Sequence, residues 1–172
     1  MMKTKKSILD GKTILAVDDE PDLLTILEEE ILDVYPDCKF DKAMTFEQAF
    51  EMLASHSYDL VILDIMGVRG FDLLEQAVAK KLPVVMLTAH ALTPEALKLS
   101  IEKGARAYLP KEKIMEIVPY LEDALTLDYV PGWKRLLQRL HDFFNMRWGE
   151  YWRKAEESFW KEFDEKSDHI KW

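Results

Sequence analysis

The chain has 172 residues, enough for one full domain and an appendage but short for two independent cores. Its 32 acidic against 23 basic side chains leave a net charge of -9, which argues against a nucleic-acid partner, since phosphate binding needs a basic face. With 48% hydrophobic residues, no run near the roughly 20 apolar residues of a membrane span and no apolar stretch behind the basic start MMKTKK, it reads as a globular protein of the cytoplasm.

The run TILAV at 13–17 opens the order of elements. It is β-rich and lacks polar alternation, which suits a central strand of a parallel sheet covered on both faces. Asp19, Glu20 and Pro21 then signal a helix start, and Leu23, Leu24, Ile26, Leu27, Ile31 and Leu32 repeat at a period near 3.6. Cys38 is the single cysteine, so it allows no internal disulfide. It reads as a small, half-buried residue beside the next strand, in a reducing compartment. That strand, KFDKA at 39–43, alternates in polarity and is edge-like. Thr45, with Gln48 three places on, caps a second helix carrying Phe46, Ala49, Phe50 and Leu53. LVIL at 60–63 and VVML at 84–87 are further buried strands, and AYL at 107–109 is a short fifth. Helices are predicted over 70–80, 93–103 and 113–125, with Thr93-Pro94 as a cap followed by proline. Five β–α units in sequence imply a doubly wound α/β sheet with right-handed crossovers.

In open α/β sheets, ligands sit beyond the carboxyl ends of the strands. The residues at those ends are Asp18 and Asp19, Asp64, Thr88 and Lys111. Clustered carboxylates repel one another unless a cation intervenes. An all-oxygen set suits a hard ion, Mg2+ above all, which keeps several positions for water or phosphate. Lys111 offers a point charge and Thr88 a hydrogen bond to a phosphoryl group. Asp64 as a nucleophile would form an acyl phosphate. Singly, each residue has a plainer reading: Asp18 or Asp19 as a helix cap, Thr88 as ordinary loop chemistry, Lys111 as a solvated charge. Their joint placement on four strand ends favours the site.

The segments ILAVDDE at 14–20, DLVILDIM at 59–66, VVMLTA at 84–89 and GARAYLPK at 104–111 occur in an order and spacing that resemble a response-regulator receiver domain, over residues 10–126. The resemblance implies a flavodoxin-like sheet of five parallel strands in the order 2-1-3-4-5. It implies that Asp64 is the phosphoacceptor, taking its phosphoryl group from a sensor histidine kinase or phosphotransfer protein. Mg2+ would be held by Asp19 directly, by Asp18 largely through water, by Asp64 and by the main-chain carbonyl of Met66. Lys111 and Thr88 would contact the phosphoryl group, and Thr88 with Tyr108 would form the switch. The plainer reading of Tyr108 is an edge aromatic lying over the last helix.

Two features depart from the family's pattern. Pro110 precedes Lys111 and Glu112 follows it, where most of the family joins the lysine to a proline through a cis bond. The turn after Asp64, IMGVRG, reads as two residues short, with Gly67 and Gly70 expected to reach φ > 0. Met66 and His90 stand at positions where the family tunes hydrolysis, and a bulky Met66 suggests a shielded, longer-lived phosphate. The resemblance implies a signalling protein rather than an enzyme turning over a substrate. Two rivals stand beside it. One is a degenerate receiver acting as a scaffold, motivated by the altered loop after Lys111. The other is an aspartyl-phosphate-type phosphatase, which would want a second carboxylate where Met66 stands.

After DYVPGW at 128–133 the composition changes: from residue 131 there are nine Lys or Arg against eight Asp or Glu, and all five tryptophans fall there. The expected organisation is a receiver at 10–127, a linker at 128–132, an amphipathic helix or helical hairpin at 133–166, and flexible ends at 1–9 and 167–172. Trp133, Leu137, Leu140, Phe144, Trp148, Tyr151, Ala155, Phe159 and Phe163 step by three or four. An unbroken helix over 133–163 would be about 46 Å long, too long for the receiver alone, so an overhang or a bend at Gly149 is expected. The stripe has three possible uses: packing on its own receiver, docking to another protein, or homodimerisation through 133–163, the last favoured by its interface-like content of aromatics. Its mixed-charge polar face speaks against a membrane surface.

Overall fold

The computed structural model describes residues 8–166. Strands β1 (Thr13–Val17), β2 (Lys39–Ala43), β3 (Leu60–Leu63), β4 (Val84–Thr88) and β5 (Ala107–Pro110) form one parallel sheet in the order β2-β1-β3-β4-β5. Every side chain of β3 and β4 is buried, as unalternated apolar runs require when helices cover both faces. At one edge β2 exposes Lys39 and Lys42, whereas β5, at the other edge, is buried throughout. The order is the one that the sequence resemblance implies.

Helices α1 (Pro21–Val34), α2 (Phe46–Ser55), α3 (Gly70–Ala79), α4 (Pro94–Glu102) and α5 (Ile117–Thr126) flank the sheet, with α1 beside α5 and α2 beside α3. Two starts are fixed by side chains. Thr45 Oγ1 accepts from the Gln48 amide and Thr93 Oγ1 from the Ala96 amide, each at 3.1 Å, which supplies partners to otherwise orphaned N–H groups. Lys111–Glu116 forms a 3-10 turn leading into α5. Of the ends expected to be flexible, residues 1–7 and 167–172 lie outside the described residues. Leu9 is fully buried in the core, so the ordered chain starts earlier than expected.

The turn after Asp64 differs from expectation in one residue. Positive φ falls on Gly67 (84°) and on Arg69 (54°), not on Gly70. Gly70 is needed for space instead: a Cβ there would lie 1.9 Å from the Asp64 carbonyl oxygen. The shortened turn brings the first residue of α3 hard against the end of β3, and only a glycine fits.

The tail also departs from expectation. It forms α6 (Tyr129–Arg139), α7 (His141–Trp148), a 3-10 turn (Trp152–Glu156) and α8 (Glu157–Glu165) rather than one rod or a two-helix hairpin. The stretch 128–132, read as a linker, is the first turn of α6, closed by a 2.9 Å bond from the Gly132 amide to the Asp128 carbonyl. Pro131 is tolerated there because first-turn amides have no helical partner to lose. The chain breaks at Gly149, as expected, with φ at 87°, and also at Leu140.

Most of the aromatic stripe is spent inside the chain. Trp133 is fully buried, and its indole N–H donates to the Ala105 carbonyl at 2.9 Å. Leu136, Leu137, Leu140, Phe144, Trp160 and Phe163 are buried in the same continuous core as the sheet. Burial of each such side chain contributes roughly 1.5–3 kcal/mol. Of the three uses expected for the stripe, the structure adopts packing on the chain's own receiver. A homodimer that paired these particular side chains would first have to expose them, whereas Met146 and Tyr151 of the same segment are exposed. Among the described residues, no helix is long and apolar enough to cross a membrane.

Candidate functional site

Sheet register sets the site. Val17 pairs with Leu63 across β1 and β3, so the residues that follow, Asp18 and Asp64, leave the sheet side by side. The Asp64 amide still donates to the Val17 carbonyl at 3.0 Å, and the Asp18 amide to Ala43 at 3.1 Å. Thr88 pairs with Pro110 across β4 and β5, which places Lys111 just beyond the same rim. Apolar strands therefore deliver polar side chains at positions fixed by backbone hydrogen bonds.

The centre of the site is an ion-pair network. Lys111 Nζ donates to Asp64 Oδ2 at 2.9 Å and lies 2.8 Å from Asp18 Oδ2 and 3.6 Å from Glu20 Oε1. Asp18, Asp64 and Lys111 are all buried. The other oxygens have partners too. Asp64 Oδ1 accepts from the Ile65 amide at 2.7 Å, and Asp18 Oδ1 accepts from the Glu20 amide at 2.9 Å. Burial pushes the Asp18 carboxyl up to about 6; Lys111 and the Glu20 amide pull the other way, and the Asp64 charge adds to the rise. For Lys111, burial works against the ammonium, but the hydrogen bonds to and charges of Asp18 and Asp64 prevail and raise its pKa.

The site therefore brings together Asp18, Asp64 and Lys111 in direct contact, with Asp19 beside them. Asp18, Asp19 and Glu20 can bring carboxylate oxygens within 4.8 Å of one another. This trio differs from the metal set implied by the resemblance in that Glu20 joins it and Asp64 is outside it, although Lys111 engages Asp18 and Asp64 alike. Sequence reading had used Glu20 only as a helix-start signal, although three consecutive acids at a strand end were a clue. The trio offers only hard oxygen donors, so a divalent ion of the Mg2+ type fits. Gly67 adds to the fit, because any Cβ there would lie 2.4 Å from Asp19 Oδ2; the turn leaves that carboxylate room that a side chain would fill.

The remaining predicted residues sit around this centre. Thr88 is fully buried and its hydroxyl accepts from the Ala91 amide at 3.3 Å. Tyr108 is fully buried as well. Its hydroxyl donates to the Ala91 carbonyl at 2.7 Å and accepts from the Thr93 amide at 3.1 Å. Burial raises the pKa of the phenol, so it stays neutral and keeps its proton to donate. Tyr108 thus has fixed partners on the loop after Thr88, rather than lying free over the last helix. Met66, expected to shield the phosphate, is 52% exposed. The bond from Lys111 to Glu112 is trans, as are all peptide bonds among the described residues. Glu112 pairs with Arg147 of α7, a contact that the sequence did not announce because the partners lie far apart in the chain.

Comparison with known proteins agrees with this fold. The family described as the response regulator receiver domain matches residues 14–121. The two-component response regulator ARR18 of Arabidopsis thaliana is 42% identical over 107 residues, covering 59% of this chain and 16% of that protein. The response regulator GtcR of Aneurinibacillus migulanus is 32% identical over 104 residues, covering 59% of this chain and 42% of its own length. The chain thus spans less than half of either relative. Among solved structures, the signal receiver domain of an HD domain-containing protein from Pseudomonas fluorescens superposes with a TM-score of 0.57 at 24% identity, over 73% of this chain and 93% of that one. At that identity the likeness speaks for the fold.

Proposed function

The chain belongs to the response regulator receiver domain family, and from that premise we propose that Asp64 accepts a phosphoryl group from a sensor histidine kinase or phosphotransfer protein. The observation that carries this reading is the contact of Lys111 with both Asp18 and Asp64, at 2.8 and 2.9 Å, on the rim where the acidic trio gathers. In the transfer, an oxygen of the Asp64 carboxylate attacks phosphorus. The O–P bond forms as the P–N bond of the donor phosphohistidine breaks, and the imidazole nitrogen leaves with the electron pair. Lys111 exchanges its bond to the carboxylate for one to a phosphoryl oxygen, and the Thr88 hydroxyl donates to another. A divalent cation such as Mg2+ held by Asp18, Asp19 and Glu20, with Asp64 and the Met66 carbonyl within the same rim, would neutralise the developing negative charge. Catalysis is then positioning and charge compensation.

The product is a signal rather than a released compound: a new charge near -2 beside Lys111 biases a two-state loop. The neighbourhood of Met66 argues against a phosphatase, because it supplies no acid two residues past Asp64. The buried lone thiol of Cys38 suits a reducing cytoplasm, where such kinases would meet the rim. Incubation with Mg2+ and a small phosphodonor, followed by intact-mass spectrometry, tests the reading. One phosphoryl group gained by the chain and none by Asp64→Asn supports it. Catalytic release of phosphate from many esters favours the phosphatase, and no gain at all favours the scaffold.

A further inference from the structure

Two adjacent residues of α7 grip two different loops of the site. The indole N–H of Trp148 donates to the Leu92 carbonyl at 3.1 Å, on the loop between β4 and α4. The guanidinium of Arg147 pairs with Glu112, immediately after Lys111, on the loop that follows β5. The β4–α4 loop carries further bonds: the Ala91 amide donates to Thr88 Oγ1, and the Tyr108 hydroxyl bonds to Ala91 and Thr93. Three consecutive residues, Ala91, Leu92 and Thr93, are thus tied to Thr88, Tyr108 and Trp148 together. An aromatic path runs outward from the same place. The Tyr108 ring lies 6.4 Å from Phe144, which stacks on Trp148 at 4.5 Å with the planes 3° apart. Trp152 meets both edge-on, and Trp160 meets Trp152.

Drawing the Thr88 hydroxyl toward a phosphoryl group on Asp64 lengthens an Ala91 bond that already spans 3.3 Å. The loop must follow or let go, and Trp148 resists its movement through Leu92. Arg147 acts in the opposite electrical sense, since it neutralises Glu112 near the incoming dianion. That pair, however, is 45% and 58% exposed, so solvent screens it, whereas the indole bond acts on the loop directly. Resting on the reading of Asp64 as phosphoacceptor, we propose that α7 is an intramolecular clamp that holds the loops in their unphosphorylated arrangement, so that phosphorylation loosens α7 and α7 slows phosphorylation. At equilibrium the coupling is reciprocal, so whatever free energy phosphorylation takes from the α7 contacts, those contacts take from the phosphorylated state.

The test uses the full chain and Trp148→Phe, which keeps an aromatic ring on Phe144 and removes the indole donor. Uptake of phosphate from a small phosphodonor with Mg2+ is expected to be roughly three- to tenfold faster in the variant, the range that one hydrogen bond supports. In the unaltered chain, amide exchange across 141–148 is expected to rise on phosphorylation. An uptake rate in Trp148→Phe equal to or below that of the unaltered chain, or protection of α7 that phosphorylation leaves unchanged, overturns the clamp while leaving Asp64 as acceptor. If neither chain takes up phosphate, the reading of Asp64 fails, and the clamp with it.

Discussion

The carboxyl rim of the sheet and the aromatic layer beyond β5 are both buried, yet opposite forces hold them. At the rim, Asp18, Asp64 and Lys111 are fixed by backbone register and by charge, and burial pushes the Asp18 carboxyl up to about 6. In the layer, Trp133, Phe144, Trp160 and Phe163 are held by apolar burial and ring contacts, and the indole N–H groups of Trp133, Trp148 and Trp152 donate to backbone or side-chain oxygens. A charge network can be rearranged by one incoming ion or phosphate, whereas an aromatic layer yields only by losing area. The difference suggests which part moves first and which part reads the movement.

The largest expected effect separates the two regions on the side of the layer. Trp133→Ala should cost about 3–5 kcal/mol of stability, the usual range for a deleted core aromatic, while also orphaning the Ala105 carbonyl. Denaturant unfolding checks it. A loss below about 1 kcal/mol would mean that the tail is not part of the core.

On the side of the rim, Asp18→Asn should show a pH signature that no change in the layer reproduces. The folded value of Asp18, about 6, lies above its ordinary 3.8. Such a group contributes stability that is full below the unfolded value and lost as pH rises through the folded one. The metal-free chain should therefore lose about 2 kcal/mol from this group between pH 4 and 7. The difference in unfolding free energy between the two proteins, measured in chelator across that range, isolates the contribution. A difference that stays flat with pH contradicts the account of the rim.

The smallest effect lies where the regions meet. Arg147→Ala removes an exposed ion pair with Glu112 and should change stability by less than about 1 kcal/mol. Thermal unfolding checks it, and a larger loss would make the pair a structural tie rather than a contact between tail and loop.

How far the sequence anticipated each region follows the same division. The strands were legible because TILAV, LVIL and VVML are apolar without alternation, and the site because Asp18, Asp64 and Lys111 directly follow strands whose neighbours are then fixed. Gly70 was read for its conformational freedom, but its role is the close approach of α3 to the Asp64 carbonyl, which only three dimensions display. The tail was less legible. A period of three or four residues says which side chains are apolar, not which surface covers them. Pro131 and Gly132 read as breakers, although a proline fits the first turn of α6, and the break at Leu140 carries no proline or glycine to announce it.

The central claim is that Asp64 itself carries the phosphoryl group. Borohydride reduction of the phosphodonor-treated chain converts an aspartyl phosphate to homoserine, and peptide mapping then locates it. The account predicts homoserine at position 64 and nowhere else, dependent on Mg2+. Homoserine at Asp18 or Asp19, or none at any position in a chain that has gained phosphate, would contradict it.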